Sequence, residues 1–156
     1  MHMEDPIERT SEPQDFLTAA RMMVTSPPWQ TMGYTLENCL AGFSGPGKEI
    51  YVVRSEGEII AFAIVQTLST FRLYIQTLYV HDNYRGLGLG TMLLQHIENT
   101  APGRAANLFI CVSSFNDRAQ KLYAEFGFEV VGELHDFVKE GFTEVLMRKR
   151  LGALLE

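Results

Sequence analysis

Gly86, Gly88 and Gly90 occupy alternate positions between a period-two apolar run and a run of helical spacing, and this limits the fold more than any other segment. Upstream, Arg72 to Val80 alternates as a half-buried strand does; downstream, Leu89, Met92, Leu93, His96 and Ile97 recur along one helix face. Ala101-Pro102-Gly103 breaks that helix before the apolar run Leu108 to Val112. Strand, glycine turn, helix and strand make a crossover of about thirty residues, so the two strands should be parallel.

The flanking segments extend this unit on both sides. Ser11-Glu12-Pro13-Gln14 has capping-box spacing with proline early in the turn, and Phe16, Ala19, Ala20 and Met23 follow at helical intervals. Ser26-Pro27-Pro28-Trp29 stops that helix, and Leu36, Cys39, Leu40 and Phe43 mark a second that ends in the Gly42 to Gly47 turns. Ile50 to Arg54, the tight Glu56-Gly57 turn and Ile59 to Leu68 form an antiparallel meander with Arg72 to Val80. Ala119, Leu122, Tyr123 and Phe126 give a last helix closed by Gly127, and Phe128 to Val131 and Thr143 to Arg148 are the final strands. With no linker or repeat, residues 1–156 are expected to form a single α+β domain with a mixed sheet. Residues before Ser11 are either a frayed tail or a short first strand around Ile7.

Charge and composition remove several functions. Thirteen Lys and Arg against nineteen Asp and Glu leave a net −6, which opposes nucleic acid as a partner. The segment Met1 to Gln14 is acidic without an apolar signal region, and the longest apolar run, Ile59 to Val65, is too short to span a bilayer. A cytoplasmic protein without a membrane partner is expected. Cys39 and Cys111 each lie in an apolar stretch and read as buried free thiols. His2, His81, His96 and His135 lack ligand spacing, so no metal is expected.

In Arg85-Gly86-Leu87-Gly88-Leu89-Gly90-Thr91, consecutive amides without side-chain cover at a helix start can converge on a phosphate. Each amide hydrogen bond to a charged acceptor contributes about 1.5–3 kcal/mol, more than the helix dipole's roughly 0.3–1 kcal/mol. The other reading is a tight turn whose glycines serve packing. On the phosphate reading, bulk at Gly88 or Gly90 would block the ligand's approach. Competing motifs fit less well. A dinucleotide fingerprint would need glycine at Met92 or Leu93. Gly42 to Lys48 satisfies G-x-x-x-x-G-K, but Glu49 replaces the magnesium-binding hydroxyl and the segment follows a helix and precedes a strand. Gly42-Phe43-Ser44-Gly45-Pro46 fails the nucleophile-elbow pattern at its last position.

Asn116 opens the last helix and Tyr123 lies seven positions on, nearly the same face two turns later. Taken singly they read as an N-cap and a core aromatic. Together with the glycine turn they resemble the Gcn5-related N-acetyltransferase (GNAT) superfamily over about Glu49 to Val131. Leu78-Tyr79-Val80-His81-Asp82-Asn83-Tyr84-Arg85-Gly86-Leu87-Gly88-Leu89-Gly90 is similar to its strand and R/Q-x-x-G-x-G/A acetyl-CoA loop. Asn116-x-x-Ala119-x-x-x-Tyr123-x-x-x-Gly127-Phe128 is similar to its second motif.

The resemblance implies a mostly antiparallel mixed sheet, splayed between the two parallel central strands and flanked by about four helices. It implies that Leu78, Tyr79 and Val80 pair with pantetheine amides of acetyl-CoA and that Arg85, Gly86, Leu87, Gly88, Leu89, Gly90 and Thr91 hold the pyrophosphate. Asn116 would touch the pantetheine side, and Tyr123 would face the thioester sulfur as general acid. A primary amine of a small molecule or peptide is the implied acceptor, and a homodimer is a habit of the superfamily. The alternatives from other classes are a non-catalytic acyl-CoA-binding or sensing module on the same fold and a nucleotide-binding module using Gly42 to Lys48.

Transfer from a thioester to an amine needs alignment, a place for oxyanion charge and a proton for the departing thiolate. A tyrosine of pKa about 10 facing a thiol near 8.5 is uphill by about 2 kcal/mol in water. A lysine-like amine of pKa about 10.4 must lose a proton at a cost of about 4.6 kcal/mol at pH 7. The positions where the superfamily places a glutamate base hold Cys111 and Tyr74 here. The resemblance implies an acceptor pocket built from the second helix and the loop before the last strand, which makes Glu37, His135 and Asp136 the remaining candidate bases, with a water wire to the Tyr51–Tyr74 region as the other route. The acceptor pocket is expected from the helical front and the His135–Gly141 loop.

Overall fold

The computed structural model describes residues 6–152. Met1 to Asp5, and with them His2, lie outside the described residues. The chain runs β1 (Ile7–Thr10), α1 (Pro13–Val24), α2 (Leu36–Ala41), β2 (Lys48–Ser55), β3 (Glu58–Gln66), β4 (Tyr74–Val80), α3 (Leu89–Asn99), β5 (Asn107–Ser113), α4 (Asp117–Phe126), β6 (Glu129–His135) and β7 (Thr143–Arg150). The strands form one sheet in the order β1-β2-β3-β4-β5-β7-β6. Among the described residues only β4 and β5 pair in parallel; the other neighbours are antiparallel. Of the two readings of the N-terminus, the short first strand is the one observed.

The strands are covered on both faces. Leu93, Leu94 and Ile97 of α3 and Tyr123 of α4 bury one face with Ile75, Leu108 and Ile110. Ala19, Ala20 and Met23 of α1 and Cys39 of α2 bury the other against Ile50, Phe62, Ile64 and Tyr79. Phe62 is fully buried there, stacked on Tyr79 at 5.0 Å.

Several local expectations need correction. Ser11 does not cap α1: Glu12 is the N-cap in extended conformation, without a side-chain cap bond. Pro13 takes the first helical position, where its missing N–H costs nothing, and this pushes Ser11 one residue outside the helix. The reciprocal box forms instead at α2, where Thr35 Oγ1 accepts from Asn38 N at 3.1 Å and Asn38 Oδ1 accepts from Thr35 N at 3.0 Å. The strand expected from Arg72 begins at Tyr74, because Arg72 is left-handed at φ 65°. The sixth strand runs on to His135, since its edge partner β7 continues the ladder to the pair His135 and Thr143.

Pairing of β4 with β5 spans only Tyr74 opposite Phe109 and Ile75 opposite Ile110. The ladder to β3 shifts at the same place: Ile75 faces Val65 and Thr77 faces Ile64, leaving Gln76 as the extra residue of a bulge. A bulge bends its strand and raises local twist, so β4 turns away from β5 where the bulge begins. Gln76 is pinned through its side chain. Its Nε2 donates to the Gly42 carbonyl at 3.1 Å, and its Oε1 accepts from Gln66 Nε2 at 2.8 Å and from Lys48 Nζ. Lys48 also donates to the Gly42 carbonyl at 3.0 Å. The lysine of the G-x-x-x-x-G-K near-match therefore holds a bulge, at the head of a strand.

Gln76→Leu removes three of these hydrogen bonds and leaves a half-buried ammonium short of an acceptor, an expected loss of about 1–3 kcal/mol. Urea unfolding checks this as a lower midpoint with unchanged slope.

Candidate active site

Beyond Ile75 and Ile110 the two central strands diverge, and a cavity of about 430 Å³ opens on the α1 side of the sheet. Leu78, Asn116 and Tyr123 all line it, so the structure brings together three of the residues singled out in the sequence. From Gln76 to Val80, β4 has a strand partner only in β3. Its other edge leaves backbone N–H and C=O groups for a ligand, since such groups are seldom left unpaired when covered.

The bulge also fixes which way the side chains of β4 point. Gln76 and Thr77 both face the α1 side, where one meets Gly42 and the other lines the cavity. Leu78 and Val80 then pack towards α3 and α4, while Tyr79 is buried among the α1-side core residues. Tyr79 Oη lies 3.3 Å from Ser26 Oγ. Whatever Tyr79 and Val80 offer the cleft is backbone.

At the far end of β4, a 3₁₀ turn over Asp82–Tyr84 leads into the glycine loop. Gly86 and Gly88 are left-handed at φ 78° and 83°, and space is open at both Cβ positions. Among the described residues no backbone carbonyl accepts from the amides of Gly86, Leu87, Gly88 or Leu89. The amides of Gly90 and Thr91 belong to the first turn of α3 and have no intrahelical acceptor. Arg85 pairs with Asp82 at 2.9 Å on the surface. Gly90 differs from its neighbours: it is buried in α3, and an added Cβ would lie 2.9 Å from Leu122 Cδ2. Its missing side chain serves the close approach of α3 to α4, so bulk there acts on packing and not on a phosphate.

Asn116 is the N-cap of α4, its Oδ1 accepting from Ala119 N at 3.2 Å. With the oxygen engaged, Nδ2 is the group left for a ligand. Tyr123 is buried, packs edge-on against Phe128 at 6.0 Å and has its phenol pushed well above the usual range by burial.

The candidate bases fare differently. Glu37 is exposed and does not line the cavity. His135 Nδ1 sits 2.9 Å from Thr143 Oγ1 on an exposed edge, and Asp136 Oδ1 accepts from Gly141 N at 2.6 Å to close its own loop. Of the two tyrosines named for a water wire, Tyr74 lines the cavity and Tyr51 does not. Tyr51 faces α3, edge-on to His96 at 4.9 Å, and donates to Glu49 at 2.6 Å. Burial and that carboxylate push its phenol up to about 12.

A different carboxylate lines the cavity. Glu144, opposite Ser113 at the start of β7, is only 7% exposed. Burial raises its carboxyl above the usual range, although a hydrogen bond with Ser113 works against the shift. Tyr34, Tyr74 and Cys111 lie around it, each with its pKa raised first by burial. Glu144 shares the parity of Leu146 in β7, which gives its face in the sequence. That β7 lies against β5, with its first residues beside the divergence, is a matter of strand order and has no sequence signal.

The roof of the cavity comes from two loops. Trp29, Met32 and Tyr34 belong to the segment between α1 and α2, and Phe137 and Val138 to the β6–β7 loop. Lys139 Nζ donates to the Met32 carbonyl and joins them. Cys39 and Cys111 are both free thiols and both line the cavity; Cys39 is buried as expected, whereas Cys111 is only half-buried because it faces the open cleft. Among the described residues no group of His, Cys, Asp and Glu has the placement to hold a metal, and no helix is long and apolar enough to cross a membrane.

Comparison with known proteins agrees with this fold. N-alpha-acetyltransferase 50 of Danio rerio is 37% identical over 70 residues, 44% of this chain and 42% of that protein, so the match spans less than half of that relative. N-alpha-acetyltransferase RimI of Mycobacterium tuberculosis is 28% identical over 116 residues, 72% of this chain and 69% of that protein. A crystal structure of aminoglycoside 6'-N-acetyltransferase complexed with coenzyme A superposes with a TM-score of 0.75 at 13% identity, covering 94% of this chain and 97% of that one. Residues 14–128 match the family described as "Acetyltransferase (GNAT) family", and the chain belongs to that family.

Proposed function

We propose that this chain is an acetyl-CoA-dependent N-acetyltransferase that delivers the acetyl group to a primary amine by direct attack on the thioester. The observation that carries the reading is the divergence of β4 and β5, which leaves an unpaired strand edge beside a cleft lined by Leu78, Asn116 and Tyr123, with a loop of unpartnered amides following the end of that strand. The coenzyme A seen in the superposed aminoglycoside enzyme supports the choice of donor. The free thiols Cys39 and Cys111 support a reducing, cytoplasmic setting.

In this reading the amides from Gly86 to Thr91 hold the diphosphate, and the free edge of Leu78 to Val80 pairs with the amides of the pantetheine arm. Asn116 Nδ2 donates to the same arm. The amine nitrogen bonds to the carbonyl carbon, the carbon–sulfur bond breaks, and Tyr123 gives its proton to the sulfur. The nitrogen's surplus proton then restores the phenol. Burial raises the phenol's pKa, which makes the transfer steeper than the roughly 2 kcal/mol it costs in water. The same burial destabilises the thiolate and so raises the affinity of the sulfur for that proton.

Tyr123→Phe should lower kcat by about 10²–10⁴ while leaving the Kd for coenzyme A unchanged, read by thiol release and calorimetry. An unaltered kcat would remove Tyr123 from the mechanism, and coenzyme A binding with no turnover on any amine would favour a sensor over an enzyme. Gly88→Ala places a side chain at φ 83° without a clash and should cost about 1–3 kcal/mol of stability. As the loop relaxes it should also weaken coenzyme A binding by about tenfold, the equivalent of one charge-assisted hydrogen bond.

A further inference from the structure

The cavity contains a buried carboxyl that no cationic side chain faces among the described residues. Glu144 Oε2 is buried and has no hydrogen-bond partner among the described residues, and none of the ion pairs found there includes it. The groups that face it are Tyr34 from the α1–α2 segment, Tyr74 from β4, and Cys111 and Ser113 from β5. None is cationic. Among the described residues no Lys, Arg or His lines the cavity, and Glu144 is its one carboxylate. Much of the remaining wall is apolar or aromatic, with Trp29, Met32, Phe71, Phe137 and Val138 opposite the strands.

A buried carboxylate with one oxygen unpartnered and no cation beside it is costly, and a bound cation removes that cost. One anion balances one cation. A second ammonium in the same space would be stripped of water without a counter-charge, which acts against polyamines and aminoglycosides. Size sets a further limit, because about 430 Å³ must admit both the thioester end and the acceptor.

We propose that Glu144 binds the acceptor's ammonium and takes its first proton, and that the acceptor is a primary amine carrying one positive charge on an apolar body of residue size. This rests on the acetyltransferase reading above. Glu144 accepts one proton from the ammonium, and the freed lone pair forms the bond to the carbonyl carbon. The second nitrogen proton reaches the sulfur through Tyr123, and the first leaves Glu144 for solvent. The products are one amide, one thiol and one proton. A carboxyl raised by burial is a better match to the amine than a solvated one.

The test uses the intact chain and acetyl-CoA with three probes: leucine amide, Leu-Ala-Ala amide and spermidine. Expected are a kcat/KM for spermidine at least about tenfold below the better monocation, and a loss of about 100-fold in Glu144→Gln on that monocation. Glu144→Asp should recover part of it, and the acid limb of the wild-type pH profile should vanish in Glu144→Gln. Misfolding is separable from these effects. Because burial raises the folded carboxyl, its contribution to stability is present below the unfolded value and is lost as pH rises through the folded one. Glu144→Gln should therefore melt at or above the wild-type temperature at pH 7, with the difference vanishing below the unfolded carboxyl pKa of about 4.3. Whether leucine amide or the tripeptide amide is faster tells a free amine from a peptide terminus, and either order supports the charge rule. Turnover indifferent to Glu144→Gln, or a preference for spermidine, overturns this inference alone; failure to bind coenzyme A overturns the parent reading with it.

Discussion

Two residues of parallel pairing decide the rest of the structure. Had β4 and β5 stayed hydrogen-bonded along their length, the sheet centre would be closed and Tyr123 would be an ordinary core aromatic. The bulge at Gln76 ends the pairing by bending β4, and it persists because the Gln76 side chain satisfies Gly42, Gln66 and Lys48 at once. A polar cluster under one strand thereby sets the width of a cleft on which both halves of the proposed chemistry depend.

The site has a division of labour. The unpaired edge of β4, and the glycine loop that follows it outside the cavity lining, present main-chain groups, whose positions are set by backbone conformation and tolerate changes in neighbouring side chains. The other end is built of side chains: Glu144, Tyr34, Tyr74 and the rings of two loops. A shared donor and a private acceptor suit that arrangement, since the first needs a constant shape and the second a variable one.

Local chemistry in the sequence announced much of the fold. The glycine turn, the crossover after it and the left-handed Gly127 follow from period and turn chemistry, and the structure has them where they were expected. The Ser11 box failed because Pro13 claimed the first helical position, a contest between two local rules that spacing alone does not rank. Gly90 reads like Gly86 and Gly88 until α4 is placed against it, since only a neighbouring helix distinguishes a packing glycine from a conformational one. Glu144 was hidden for a larger reason. Its face follows from alternation, but its partners come from two other strands and a distant loop, and long-range order leaves no trace in a run such as Thr143 to Arg148.

Lys139 reaches from the β6–β7 loop to the Met32 carbonyl and ties together segments more than a hundred residues apart in the chain. Neither loop can be lengthened, shortened or exchanged without disturbing the other's seat. A transplant of selectivity from one such scaffold to another would accordingly succeed as a matched pair of loops and fail as a single graft, a coupling that alignment of either segment by itself would never disclose.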